Sequence, residues 1–212
     1  MDSGIGGLCV LSRLLRRFSA ADFYYLSDRK NSPYGEKTRE FLLSRSEELI
    51  KKYACGFDGV IFACNTLTTN CIDELKNRLP LNLYGVSPST SAGKSLILCT
   101  AATKDCYKIK DCEKADCMVY APYGLVPEIE KNFDRIISGD LSRFYKFLPE
   151  DKGYKTVQLS CTHFIYLKPL IKKIYPNASV LDGVDTLLNG FYKKEWEKWG
   201  NGNSIKKTIS RY

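Results

Sequence analysis

Cys64 and Cys161 stand 97 residues apart (161 − 64) in matching local contexts. Each closes a short apolar run, Val60-Ile61-Phe62-Ala63 before the first and Val157-Gln158-Leu159-Ser160 before the second. Each is followed by small polar residues, Asn65-Thr66 in one case and Thr162-His163 in the other, and then by a helical pattern. The sequence reads twice as strand, thiol, helix start, the place where active-site groups gather in open α/β sheets. Unpaired N–H groups and the helix dipole at such a point favour an anion, so the placement predicts thiols that ionise more readily than usual. Two such thiols facing one pocket make a pair of proton donors and acceptors. His163, the chain's only histidine, lies two residues beyond Cys161 and has the side chain best suited to proton handling near neutrality.

The elements that must position these residues alternate between strand and helix. Phe23–Leu26 reads as a short strand that leads into Pro33-Tyr34-Gly35. Apolar positions Phe41, Leu42, Leu49, Ile50 and Tyr53 recur at helical spacing between Lys37 and Ala54, and Gly56 supplies a stop. Asp58–Cys64 is the first thiol strand, followed by a helix through Ile72, Leu75 and Leu79 that Pro80 closes. Leu81–Val86 reads as a buried strand. The polar run Ser87-Pro88-Ser89-Thr90-Ser91 is the expected crossover between domains. Leu96–Cys99, Cys117–Tyr120 and Lys155–Cys161 follow as strands, with helices over Val126–Phe133 and Leu141–Leu148. A helix over Phe164–Ile174 carries Pro169 inside it, which predicts a kink. Ser179–Leu181 is a last short strand. Alternation of this kind implies mainly parallel sheets.

Composition bounds the function. With 212 residues, 44% hydrophobic and 26% charged, the chain suits one large domain or two small ones. No apolar stretch is long enough to cross a bilayer and no signal-peptide pattern is present, so a cytoplasmic location and no membrane partner are expected. Nine cysteines, an odd number, fit reduced thiols better than a disulfide framework. The net charge of +8 is partly gathered at Lys193, Lys194, Lys198, Lys206, Lys207 and Arg211. Without a nucleic-acid-binding module, this reads as a solvated face that also attracts small anions. Cys9, Cys55 and Cys71 read as packing residues. Cys99, Cys106, Cys112 and Cys117 are 7, 6 and 5 residues apart, unlike the paired spacing of common zinc sites, so no metal is expected. The Asp2–Gly7 segment lacks the spacing and lysine of a phosphate loop.

Four segments, Asp2-Ser3-Gly4-Ile5-Gly6-Gly7-Leu8, Pro33-Tyr34-Gly35, Ala63-Cys64-Asn65-Thr66 and Cys161-Thr162-His163, together resemble the glutamate racemase family. Their order and separation fit it as well, and the likeness runs from Asp2 to about Gly190. The resemblance implies an α/β fold of two similar domains, with mainly parallel sheets flanked by helices and the active site in the cleft between them. On that basis residues 1–86 with about 184–212 form the first domain and 87–183 the second. It implies racemisation of L-glutamate to D-glutamate for peptidoglycan synthesis, and so for cell-wall formation and cell shape, with no cofactor and no metal. Cys64 and Cys161 would exchange protons with opposite faces of Cα, assisted by Asp2 and by His163 respectively, and Glu130 would stand near His163. Asp2, Ser3, Tyr34, Gly35, Asn65, Thr66, Thr162 and His163 would bind the substrate. The expected partner is the small-molecule substrate, with no nucleic acid, and a homodimer is compatible with it.

Related aspartate racemases carry Glu where this chain has His163, and His where it has Leu67-Thr68-Thr69. Arylmalonate decarboxylase relatives use one thiol. The first comparison favours glutamate as substrate, and the presence of both cysteines favours racemisation. The chain departs from the pattern at its start, where Met1 directly precedes Asp2 in place of a β-strand. The expected consequences are a central sheet position left empty or otherwise filled, and an Asp2 that hangs on a mobile end. Ser160 replaces a common Gly, and Glu128 competes with Glu130 for its place. A second reading of a different class follows, a catalytically weak or silent member that binds an acidic amino acid.

Overall fold

The computed structural model describes residues 1–19, 21–87, 93–106 and 116–190, and the backbone of Thr208 and Ile209. The basic residues near the end, Cys112 and most of the expected crossover lie outside these. Helix α1 (Gly6–Arg17) is followed by β1 (Tyr24–Tyr25), α2 (Arg39–Tyr53), β2 (Gly59–Phe62), α3 (Asn65–Arg78) and β3 (Asn82–Gly85). Thr38 starts α2 with its side-chain oxygen accepting the Phe41 N–H, which satisfies a donor the first helical turn leaves open. Strands β2 and β3 pair in parallel, with Val60 opposite Leu83. Leu42, Phe62, Leu67 and Leu75 are fully buried where α2 and α3 pack together. Each of these short elements contributes apolar side chains to a core that none could close alone.

The chain then enters a four-stranded, wholly parallel sheet in the order β5-β4-β6-β7, formed by Cys117–Tyr120, Ser95–Cys99, Thr156–Ser160 and Ser179–Asp182. Every residue of β4 and β6 is buried, as expected for central parallel strands covered on both faces. Leu96 faces Val157 and Leu98 faces Leu159, which fixes the register by packing as well as by hydrogen bonds. A second core gathers here around Leu96, Leu98, Val157, Phe144 and Ile171. A helical stretch at 184–190 returns to α1, placing Val184 and Leu187 with Val10, Leu14 and Phe18. Strand β8 (Thr208–Ile209) pairs in parallel with β1. The α/β, parallel-sheet expectation therefore holds.

Several local expectations require correction. Leu141–Leu148 is not an α-helix but contains a 3-10 helix at Ser142–Phe147. The expected helix over Phe164–Ile174 divides into a 3-10 helix at Thr162–Leu167 and an α-helix, α7, at Lys168–Ile174. Pro169 lies in the first turn of α7, where its missing N–H costs nothing, so it marks a start and makes no kink. Val126–Phe133 likewise breaks at Asn132 into α5 (Leu125–Lys131) and α6 (Phe133–Ile137).

The chain start is not loose. Asp2 N–H donates to the Leu26 carbonyl at 3.0 Å and Asp28 N–H to the Asp2 carbonyl at 3.0 Å. On the other side the Met1 amine donates to the Ile61 carbonyl at 2.7 Å, and Ala63 N–H to the Met1 carbonyl at 2.9 Å. Two residues thus act as the end of a strand between β2 and residues 26–28, and Asp2 is wholly buried.

Leu98 is fully buried at the centre of the larger sheet, so Leu98→Ala should remove about 2–5 kcal/mol of stability. Urea unfolding measures this, and a loss under about 1 kcal/mol would mean that β4 is not a core strand.

Candidate functional site

Cys64 lies in extended backbone at the end of β2 and caps α3, and its side chain is buried. Its thiol is pushed well above the ordinary value, by burial first and by the Asp2 carboxylate next. The N–H groups of Leu67 and Thr66 pull in the opposite direction but are outweighed. The expectation of an easily ionised thiol is therefore overturned for Cys64: desolvation exceeds the helix-end effect. Asp2 owes its place to the glycine-rich loop, whose Gly4 and Gly7 N–H groups donate to its Oδ2 at 3.2 and 2.8 Å. Asp2 Oδ1 is buried without a hydrogen-bond partner.

Cys161 occupies the equivalent position after β6, and the following turn folds His163 back onto it. Cys161 Sγ lies 3.9 Å from His163 Nδ1, and His163 Nε2 lies 2.7 Å from Glu130 Oε1. Burial alone would lower the imidazole pKa. Its hydrogen bonds to Cys161 and Glu130 overcome that and carry it up to about 10. Burial also opposes ionisation of Glu130, yet His163 and the Ile5 N–H, which donates to Oε1 at 2.8 Å, hold its carboxyl below the usual value. Glu128 instead pairs with Arg143 at 2.7 Å, which resolves the choice between the two glutamates.

The glycines of the first motif now have a physical reason. A Cβ on Gly4 would lie 1.9 Å from Glu130 Oε1, and one on Gly6 would lie 2.5 Å from His163 Nδ1. Only a backbone without side chains seats the loop that carries Asp2 against the His163–Glu130 pair. The two thiol segments also touch directly, because Thr162 Oγ1 donates to the Ala63 carbonyl at 3.2 Å.

The other expected residues divide into two groups. Ser3, Asn65, Thr66 and Thr162 are buried, and the last three directly follow the thiols in sequence. Asn65 Nδ2 donates to the Val86 carbonyl at 3.2 Å, leaving Oδ1 buried without a partner. Tyr34 is also buried, but its hydroxyl donates to Asp28 Oδ2 at 2.7 Å, so the ring and backbone face other neighbours. Gly35 packs against Thr100, where a Cβ would come within 2.6 Å of its side chain. Thr100 and Thr103, at the start of the short helix α4 (Ala101–Lys104), were not singled out from sequence. Thr66 Oγ1 lies 2.9 Å from Thr100 Oγ1, and Thr103 Oγ1 donates to Thr66 Oγ1 at 3.3 Å. The signal that marks them is a third switch from a buried strand, Leu96–Cys99, to a hydroxyl. Among the described residues no group of three or more His, Cys, Asp or Glu side chains is arranged to hold a metal ion, and no helix is long and apolar enough to cross a membrane.

No protein-family model matches the chain. Glutamate racemase from Persephonella marina is 34% identical to it over 215 residues, covering 95% of this chain and 83% of that protein. The chain belongs to the glutamate racemase family. It is therefore an enzyme of the isomerase class. Glutamate racemase from Campylobacter concisus is 32% identical, covering 86% of this chain and 76% of its own length. The crystal structure of glutamate racemase from Thermus thermophilus shares the fold with a TM-score of 0.79 at 23% identity, covering 98% of this chain and 84% of that one.

With a single histidine in the chain, its titration is read without assignment. NMR of the imidazole C–H signal should give a midpoint near 10, falling in Glu130→Gln as one of its supporting partners is lost. An unchanged midpoint would contradict the role of Glu130.

Proposed function

We propose that this chain racemises glutamate without a cofactor, by proton transfer between Cα and two thiols, Cys64 and Cys161. The observation that carries the reading is the direct seam between the thiol segments, Thr162 Oγ1 on Ala63 O, with a buried thiol on either side. Inversion at Cα requires a base on one face and an acid on the other, in one solvent-excluded space. Cys64, with its pKa raised, is the thiol held ready as proton donor. Across the site, the His163 imidazolium stabilises negative charge on Cys161 sulfur, and Glu130 stabilises the imidazolium. In the reverse direction the roles exchange: Asp2 takes the Cys64 thiol proton, the resulting thiolate removes the proton from Cα, and the Cys161 thiol donates its proton to the opposite face.

The unpartnered oxygens of Asp2 and Asn65 are the acceptors this reading assigns to the substrate ammonium. The hydroxyls of Ser3, Thr66 and Thr162 and the backbone at Tyr34-Gly35 are assigned to its carboxylates. Two separate cores support a division into residues 1–86 with 184–212 and residues 87–183, with the thiols between them. Return of the 184–190 helix and of β8 to the α1 and β1 side supports the same division. The product suits a reducing cytoplasm and the assembly of peptidoglycan, and the eight described cysteines carry no disulfide. The silent-binder reading rested on the absent strand before Asp2 and the short C-terminus; a buried Asp2 bonded on both sides supports the active reading instead.

Replacing Cys64 or Cys161 with Ala should lower racemisation of glutamate, followed by optical rotation, by at least about 10²–10⁴-fold. Undiminished turnover in either variant contradicts the two-thiol mechanism.

A further inference from the structure

Four donor atoms converge on the carboxylate of Asp28, a side chain only 4% exposed that neither thiol uses. Arg45, reaching across from α2, donates through Nε to Oδ2 and through Nη2 to Oδ1, both at 2.8 Å. Tyr34 donates its hydroxyl to Oδ2 at 2.7 Å, and Asn31 its side-chain amide to the two oxygens at 3.0 and 2.9 Å. A forked guanidinium pair fixes orientation as well as charge. Burial alone would raise the Asp28 carboxyl pKa, and Arg45, Tyr34 and Asn31 together hold it below the ordinary carboxylate value. The same residue is tied to the chain start, since Asp28 N–H donates to the Asp2 carbonyl at 3.0 Å. Asp28 therefore joins two segments that the proposed mechanism gives to the substrate, Asp2 for the ammonium and the Tyr34-Gly35 turn for a carboxylate. The turn has little freedom of its own. The Tyr34 ring lies in the core that holds Phe62, Cys64 and Leu67, and a Cβ on Gly35 would come within 2.6 Å of Thr100. Thr100 Oγ1 lies 2.9 Å from Thr66 Oγ1, two residues after Cys64. A displacement of Tyr34 is thus carried through Gly35 and Thr100 to Thr66.

We propose that Asp28, locked by the Arg45 fork, is a positioning residue that sets the Tyr34-Gly35 turn relative to Asp2, and so decides how tightly the substrate carboxylate is held. This positioning rests on the reading that the Tyr34-Gly35 backbone meets that carboxylate. Its chemistry requires a group that only accepts. An amide at position 28 would aim an N–H at one of the donors that now converge there, leaving a buried mismatch. It also requires the fork, because a lysine at position 45 brings the same charge without two parallel N–H bonds. The bonds of the Asp28 carboxylate reach neither thiol nor His163, so its loss falls on binding before it falls on proton transfer.

Asp28→Asn, Arg45→Lys and Tyr34→Phe are compared with the unaltered full chain, with racemisation of L- and D-glutamate followed by circular dichroism. Each variant should raise KM for both enantiomers at least about fivefold while kcat stays within about twofold. Tyr34→Phe keeps the buried ring and tests the same bond even if Asp28→Asn fails to fold. The paired variant Asp28→Asn with Tyr34→Phe should raise KM no further than Asp28→Asn alone, a non-additivity that independent packing losses do not produce. Glu48→Gln removes only the exposed partner of Arg45, 2.8 Å from Nη1, and should leave both constants unchanged. Unchanged KM in Tyr34→Phe and Arg45→Lys, a fall in kcat with KM unmoved, additive effects in the paired variant, or an equal rise of KM in Glu48→Gln overturns the proposal. Absence of racemisation by the unaltered chain overturns the proposed function itself, and the positioning role with it.

Discussion

A buried carboxylate at the second residue organises much of this molecule. Asp2 gives one oxygen to the Gly4 and Gly7 N–H groups, and so bends the glycine-rich loop into the start of α1. Its backbone joins β2 to residues 26–28. Beside burial, which is the larger cause, its carboxylate raises the Cys64 thiol, and the loop it holds delivers the Ile5 N–H to Glu130. One side chain thereby couples both thiol settings. A buried polar group without such bonds would be expensive, and here the loop N–H groups satisfy one oxygen while the other stays unpartnered.

The two settings are chemically unequal. Cys64 is surrounded by burial and a neighbouring carboxylate, both of which favour the neutral thiol. Cys161 faces a histidine whose hydrogen bonds, to Cys161 first and to Glu130 next, outweigh burial and carry its pKa up to about 10. Under the proposed mechanism these unequal settings would let one residue type serve opposite roles at one pH.

Much of this was legible in the sequence because strand–thiol–polar–helix is a local pattern, and local patterns survive folding. The closeness of His163 to Cys161 belongs to that class, whereas the reason for Gly4 and Gly6, their approach to Glu130 and His163, is a tertiary contact that the sequence did not show. The direction of the Cys64 shift was not legible, since burial is a tertiary property that local helix-end reasoning omits. Thr100 and Thr103 escaped because they reach Thr66 only through the meeting of α3 with residues 100–104. Pro169 was misread because the turn at Thr162–Leu167 has 3-10 geometry, and apolar spacing alone does not separate it from an α-helix. The bonded start of the chain was equally hidden. Two residues carry no periodicity, yet four backbone hydrogen bonds hold Met1 and Asp2.

The central claim is that protons leave and arrive on opposite faces of Cα through two different sulfurs. Mass spectrometry of both enantiomers, early in the conversion of L-glutamate in D₂O, tests it most directly. Two bases predict deuterium in newly formed D-glutamate while the remaining L-glutamate keeps its hydrogen. Deuterium appearing in the remaining L-glutamate as fast as in the product would indicate one base serving both faces, and would contradict the account.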